Sequence, residues 1–251
     1  MVNDVSIESL ENQVYLVGLH RPPNNFFDTV LLGAVADAYE TLATETPCRA
    51  IVLRSEGKHF CAGLDFSLDK EPDIAALYRN ALRLFAAPLP VVAAVQGGAI
   101  GGGLGLALSA DFRVATPGSR FSANFSRLGF HHGFGLTVTL PRVVGEQRAA
   151  DLLFTGRRVD GTEGHAIGLA DQLVDEADLL PAATAYASTL AGSGPLAVRS
   201  IRATLRRGLV ERLRQAMDHE CAQQERLQGS DDFAEGIAAS AERRTPRFSG
   251  T

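Results

Sequence analysis

The chain has 251 residues, 45% of them apolar, and a formal net charge of −5. That length supports one large domain, or one domain with a small appendage. The dispersed basic residues and acidic balance argue against a nucleic-acid partner, and no uninterrupted apolar run is long enough to span a bilayer. The opening "MVNDVSIESLENQVYLV" carries acids and lacks a long apolar core, so it does not read as a signal peptide. Cys48, Cys61 and Cys221 are odd in number and far apart, which fits a reduced compartment and gives neither a disulfide framework nor a zinc spacing. A cytoplasmic protein with no membrane partner and no metal is expected.

"VYLVGLH" is apolar and β-branched and reads as a strand; "RPPNNFF" after it reads as a loop, because prolines and asparagines break regular structure. Asp28 to Thr44 reads as a helix with Asp28 as its cap and Leu31, Leu32, Val35, Ala38, Tyr39 and Leu42 on one face. "RAIVLRS" reads as a buried strand and "EGKHFCAGLDF" as a loop with a short extended piece. Ile74 to Ala86 reads as a helix that stops before Pro88. "PVVAAV" is another buried strand running into "QGGAIGGG", followed by a glycine-opened helix and the strand "DFRVAT". Strand-strand-helix modules of this kind, with strands apolar on both faces, predict an α/β fold whose sheet is covered on both sides, and such units can stack as a shallow superhelix. From about Gly145 the pattern is mostly helical. Val198, Ile201, Leu205 and Leu209 form one stripe, and Leu209, Leu213, Met217 and Cys221 continue at four-residue spacing, so this end packs on the body or on another subunit.

The segment "AIGGGLGLALSAD" sets the functional question. Glycines at a helix start permit unusual backbone angles and close approach of another group. The first amides of a helix lack internal partners and carry partial positive charge, so they suit a negative or developing negative oxygen. A phosphate loop would need Lys-Ser/Thr after the glycines, and there is none. A dinucleotide fingerprint would follow the first strand, with an acid about 20 residues on. An oxyanion hole for a carbonyl, or glycines present only for tight packing, are the readings left open.

"HFCAGLDF" and "QGGAIGGGLGLALSADFRVA" resemble the two signature segments of the enoyl-CoA hydratase/isomerase, or crotonase, superfamily. Further similarity runs through "RPPNNFF", "LPRVVGEQRAADLLFTGRRVDGTEGHAIGLADQLV" and "AERRTPRF", so it covers essentially the whole chain. The resemblance implies a spiral of ββα modules over residues 1–194, holding an acyl-CoA site. It implies a helical trimerisation region over 195–251, a homotrimer or dimer of trimers, and coenzyme A only as part of the substrate. Carried over by position, the oxyanion donors are the backbone N–H groups of Leu64 and Gly102. Ala62, Gly63, Asp65, Gly101, Phe125 and Gly129 are the expected substrate-binding positions.

Hydratases of this family use paired glutamates, one three residues beyond the middle glycine and one after the next strand. Here those positions are Gly105 and Phe125, and neither accepts a proton. Between Asp73 and Glu146 the only carboxylate is Asp111, which opens a strand and reads as structural. A positioned acid or base is worth roughly 10²–10⁴-fold in rate, so ordinary hydration is expected to be slow. "GFHHGFG" offers His132 or His131 as a substitute base, near Gly133, where related enzymes of other chemistry keep an aspartate. Phe125, with Phe121 and Phe130, predicts a pocket suited to a fatty or aromatic acyl chain. Arg243, Arg244 and Arg247 could meet coenzyme A phosphates. Ser122, Asn124 and Ser126 read as alternating residues of a strand with possible ligand contacts, and Lys58 and His59 as solvated. The residues therefore leave an enolate-forming enzyme, a non-hydrating acyl-CoA-binding protein, and a histidine-dependent hydrolase or carbon–carbon lyase on the same scaffold.

Overall fold

The computed structural model describes residues 4–66 and 73–251. Strand β1 (Val5–Ser9) pairs antiparallel with β2 (Val14–Leu19). Helix α1 (Thr29–Glu45) is capped by Asp28, whose carboxylate accepts the Leu31 N–H at 2.8 Å. Strand β3 (Ala50–Ser55) returns parallel to β2. Helix α2 (Ile74–Ala86) starts at Asp73, which caps the Ala76 N–H. Then come β4 (Val91–Val95), β5 (Gly98–Ile100), α3 (Gly102–Ser109), β6 (Phe112–Ala115) and β7 (Arg120–Ser122). The remainder is α4 (Leu136–Val144), α5 (Glu146–Thr155), β8 (Arg158–Asp160), α6 (Gly161–Ala166), β9 (Gln172–Leu173), α7 (Leu179–Ala191), α8 (Pro195–Leu205), α9 (Leu209–Gln228) and α10 (Asp231–Ala241).

The strands form a six-stranded sheet, ordered β1-β2-β3-β4-β6-β9, and a three-stranded sheet, ordered β5-β7-β8. Apart from the β1 edge, the larger sheet is parallel. Its strands alternate between two cores. Val17, Leu19, Ile51, Leu53, Val91 and Ala93 face the main core with α1 and α2. Val14, Leu16, Val52, Val92, Ala94 and Val114 face Leu179, Ala183, Ala187 and Ala191 of α7. Double burial is why these strands read as continuous apolar runs rather than alternating ones.

Three features add to or differ from the sequence expectations. The small sheet is built from three-residue strands, too short for a periodic signal. The strand ends at Ser122, and Asn124–Leu128 winds into a 3-10 turn. Finally, the helical stripe divides. Leu209, Leu213 and Met217 are buried against the body and Cys221 is half-buried, whereas Ile201 and Leu205 are 59% and 68% exposed beside an apolar groove of about 360 Å³.

Asp111 is structural, as its placement suggested. Its carboxylate accepts the Val91 N–H at 2.9 Å, Arg202 Nε at 2.9 Å and Arg206 Nη2 at 2.6 Å. These bonds tie the start of β4 and the α3–β6 turn to α8. Asp111→Ala would leave two nearly buried guanidinium groups without their counter-charge. A loss of about 3–5 kcal/mol in unfolding free energy, measured by urea denaturation, is expected.

Candidate active site

The site begins with one parallel β-bridge. Cys61 pairs with Ala99: the Cys61 N–H donates to Gly98 O, and the Ile100 N–H donates to Cys61 O, both at 3.0 Å. Leu64 and Gly102 each lie three residues beyond their member of the bridge, just after both segments turn out of the extended conformation at Gly63 and Gly101. A Cβ on Gly63 would sit 2.8 Å from Ile100 O and 3.6 Å from Gly102 N, so only glycine lets the two segments run this close. Gly101 turns the chain into α3 at φ +56° and ψ −120°, a conformation L side chains rarely adopt. Among the described residues, neither the Leu64 nor the Gly102 N–H donates to a protein acceptor.

The turn is clamped from outside. Ala62 N–H donates to Asn24 O at 2.9 Å and Phe27 N–H to Gly63 O at 3.0 Å. The fully buried Asn25 amide donates to Glu56 O and His59 O at 2.6 and 2.7 Å. His59, expected to be solvated, instead accepts the Gly98 N–H on Nδ1 at 2.9 Å, which places its own proton on Nε2. Burial, with Lys58 and Arg158 nearby, lowers its pKa and favours that neutral form. The Cys61 thiol is pushed up to about 12 by burial and is inert.

A cavity of about 820 Å³ opens over these amides. Ala62, Gly63, Leu64, Asp65, Gly101, Gly102 and Phe125 all line it. So do Phe130, Asn124 and Arg243. Phe121 is fully buried in the core, and the Ser122 hydroxyl is committed to Gly156 O at 3.1 Å. Arg244 is held by Glu235 and Glu242. Patterning gave no signal for Asn24, Phe27, Tyr78, Arg158 or Gln224, which also line the cavity. Asp65 is the only carboxylate in its wall among the described residues; Asp69 and Glu71 lie outside them.

Gly129, His131 and His132 are not brought to the cavity wall. Gly129 packs instead on α10, where a Cβ would fall 2.4 Å from Asp232 O. The two histidines stack on each other at 4.2 Å. His131 Nδ1 lies 2.7 Å from His132 O, and a carbonyl only accepts, so this nitrogen carries the proton. Thr137 gives its hydroxyl hydrogen to the buried Glu220 at 2.6 Å and so accepts from His132 Nε2 at 2.8 Å. Glu220 also accepts the Gly135 and Thr137 N–H groups, capping α4. These histidines therefore belong to a helix cap. Burial, with His131 and His219 nearby, lowers the His132 pKa to about 4.

A histidine depressed in the fold binds its proton more readily when unfolded. The contribution of His132 to stability should therefore fall as pH drops from about 6.5 toward about 4, by up to about 3 kcal/mol, offset in part by Glu220, whose carboxyl burial pushes up. His132→Gln is expected to remove most of that slope in urea titrations across this range.

The space at Gly105 and Gly133 is already filled. A Cβ on Gly105 would lie 2.6 Å from the Phe134 ring, and one on Gly133 would lie 1.9 Å from the Tyr78 hydroxyl.

Residues 9–251 match the family model described as enoyl-CoA hydratase/isomerase. The chain is 34% identical over 262 residues to an enoyl-CoA isomerase/hydratase of Zymoseptoria tritici, covering 95% of this chain and 84% of that protein. It is 30% identical over 264 residues to the mitochondrial methylglutaconyl-CoA hydratase of Mus musculus, covering 99% and 84%. The crystal structure of an enoyl-CoA hydratase/isomerase from Pseudoalteromonas atlantica superposes with a TM-score of 0.87 at 28% identity, over 98% of this chain and 100% of that one. With its signature segments at the cavity and the match running nearly end to end, the chain belongs to the enoyl-CoA hydratase/isomerase family.

Proposed function

We propose that the protein binds an acyl-CoA thioester with the carbonyl oxygen between the N–H groups of Leu64 and Gly102, and that these amides stabilise the enolate formed when the α-carbon gives its proton to Asp65, the one carboxylate in the cavity wall among the described residues. The observation that carries this reading is the pair of unspent amides set at equal offset from the Cys61–Ala99 bridge. Fixed donors aimed at developing charge are worth roughly 10²–10³-fold each in rate. The apolar wall of Phe125, Phe130 and Phe134 suits an acyl chain, while Arg158 and Arg243 supply positive charge for coenzyme A phosphates. No cofactor beyond the coenzyme A of the substrate is invoked.

Direct hydration is disfavoured on this reading. Gly105 and Phe125 stand at the two glutamate positions, and the Phe134 ring occupies the space a side chain at 105 would need. The same observation favours a second reading, an acyl-CoA-binding protein without turnover. The exposed Ile201–Leu205 stripe of α8 supports assembly with further copies of the chain, as a trimer or dimer of trimers. Light scattering is expected to give three or six times the monomer mass; a monomer would remove this assignment.

Calorimetry with butyryl-CoA should show binding. Crotonyl-CoA hydration should run at least about 100-fold below a relative carrying both glutamates, assayed side by side; ordinary family rates would overturn the weight placed on residues 105 and 125. Exchange of the α-protons of bound butyryl-CoA in deuterated water identifies the enolate-forming enzyme, and tight binding without exchange identifies the binder. Gly105→Glu with Phe125→Glu should fail to install hydration unless Phe134 is also cut to alanine.

A further inference from the structure

A second cluster of chemistry-bearing side chains lies away from the cavity, at the edge of the large sheet. Ser6 on β1 stands opposite Gly18 on β2. Its Oγ lies 2.7 Å from Nε2 of His20, just past the end of β2. The other ring nitrogen, His20 Nδ1, lies 3.1 Å from Oε2 of Glu56, just past the end of β3. A carboxylate only accepts, so in the neutral ring Nδ1 carries the proton and Nε2 turns its lone pair to the Ser6 hydroxyl. Serine, histidine and glutamate thus follow one another as nucleophile, base and orienting group. Gly18 makes the room: a Cβ there would sit 2.9 Å from Ser6 Oγ and 3.0 Å from His20 Nε2.

The main chain holds the three in place. His20 N–H donates to Asp4 O at 2.9 Å, and Glu56 N–H donates to Leu19 O at 3.0 Å. Glu56 O accepts from the buried Asn25 amide at 2.6 Å. The hydrogen bond with His20, with the Arg54 guanidinium 3.8 Å away, holds the Glu56 carboxyl below its usual range, so it stays the accepting partner. Strand β1 is the outer strand of its sheet. Bonded and non-bonded pairs alternate along an antiparallel ladder. The His20–Asp4 bond therefore makes Ser6–Gly18 the next bonded pair, and the Ile7 N–H points away from β2, off the open edge. That amide directly follows Ser6 and meets no further strand among the described residues, so it can serve an oxygen that gains charge. Ser6 and His20 are half-buried and Glu56 is exposed, which leaves the group open to small reagents.

We propose that Ser6, His20 and Glu56 form a second catalytic site, which hydrolyses short-chain carboxylic esters through an acyl-serine. Ser6 Oγ adds to the ester carbonyl carbon as its proton passes to His20 Nε2. The carbon–oxygen bond to the alcohol then breaks, and the alcohol leaves with that proton. Water attacks the acyl-Ser6 carbonyl and gives a proton to His20 Nε2, which returns it to Ser6 Oγ as the carboxylic acid departs. An open sheet edge suits short acyl groups rather than chains that need an enclosing wall. None of the three residues lines the acyl cavity, so this site is independent of the acyl-CoA reading.

The test supplies p-nitrophenyl acetate to the full-length protein and follows p-nitrophenolate release. Wild type is expected to run at least about 100-fold faster than Ser6→Ala. Acid-quenched wild-type protein should carry an acetyl group on Ser6, located by peptide mass spectrometry. His20→Gln should slow release by about 100-fold or more. Gly18→Ala leaves all three residues in the chain and should also suppress the rate, because its methyl group pushes the Ser6 hydroxyl off His20. Circular dichroism shows which variants are folded, and the wild-type acetyl label tests the site even where a variant is not. Excess butyryl-CoA should leave the rate unchanged. A wild-type rate equal to that of folded Ser6→Ala, an acetyl group found only on other residues, or inhibition by butyryl-CoA that places the reaction in the cavity would each overturn the proposal.

Discussion

A single parallel pairing, Cys61 beside Ala99, governs the candidate active site. It lies outside the long strands and has few hydrogen bonds of its own, yet everything proposed for the site depends on it. Just past it both segments leave the extended conformation, at Gly63 and Gly101, and two main-chain amides from different parts of the chain come to line one cavity. A side-chain donor can be replaced by a neighbour, whereas a main-chain donor must be placed by the fold. The local rules follow from that: glycine where another backbone passes at van der Waals distance, and glycine where the chain enters α3 at positive φ.

The loop before α1 explains how so small a pairing holds. Asn24 and Phe27 bond the turn directly, Asn25 is fully buried across two carbonyls, and His59 fastens the Gly98 amide. Each of these groups would carry a desolvation penalty of about 1–3 kcal/mol if left unpaired. The penalties act together to keep loop, turn and β5 in one arrangement. Such preorganisation is what an electrostatic site requires, since donors that must reorient during reaction lose their advantage.

Much of this was legible in the sequence. The glycine run, the "CAG" turn and the apolar strands identify the elements, and the absence of acids at 105 and 125 is visible by inspection. What stayed hidden depends on facing rather than on identity. His131 and His132 follow a glycine turn near the expected base position, but Glu220 on α9 draws that segment into a helix cap. Tyr78 looks like one more aromatic on the buried face of α2, and its partner Gln224 lies 146 residues away. No local period reports a bond of that kind. Gly105 and Gly133 similarly read as missing side chains until the structure shows Phe134 and Tyr78 in the vacated volume.

The vibrational frequency of the thioester carbonyl is the most direct probe of the two-amide site. Infrared difference spectra of an isotopically labelled saturated acyl-CoA, free and bound, isolate that one bond. Two fixed donors should polarise it and shift its stretch to lower frequency in the complex. A bound thioester whose carbonyl absorbs where it does in water, or higher, would contradict the account.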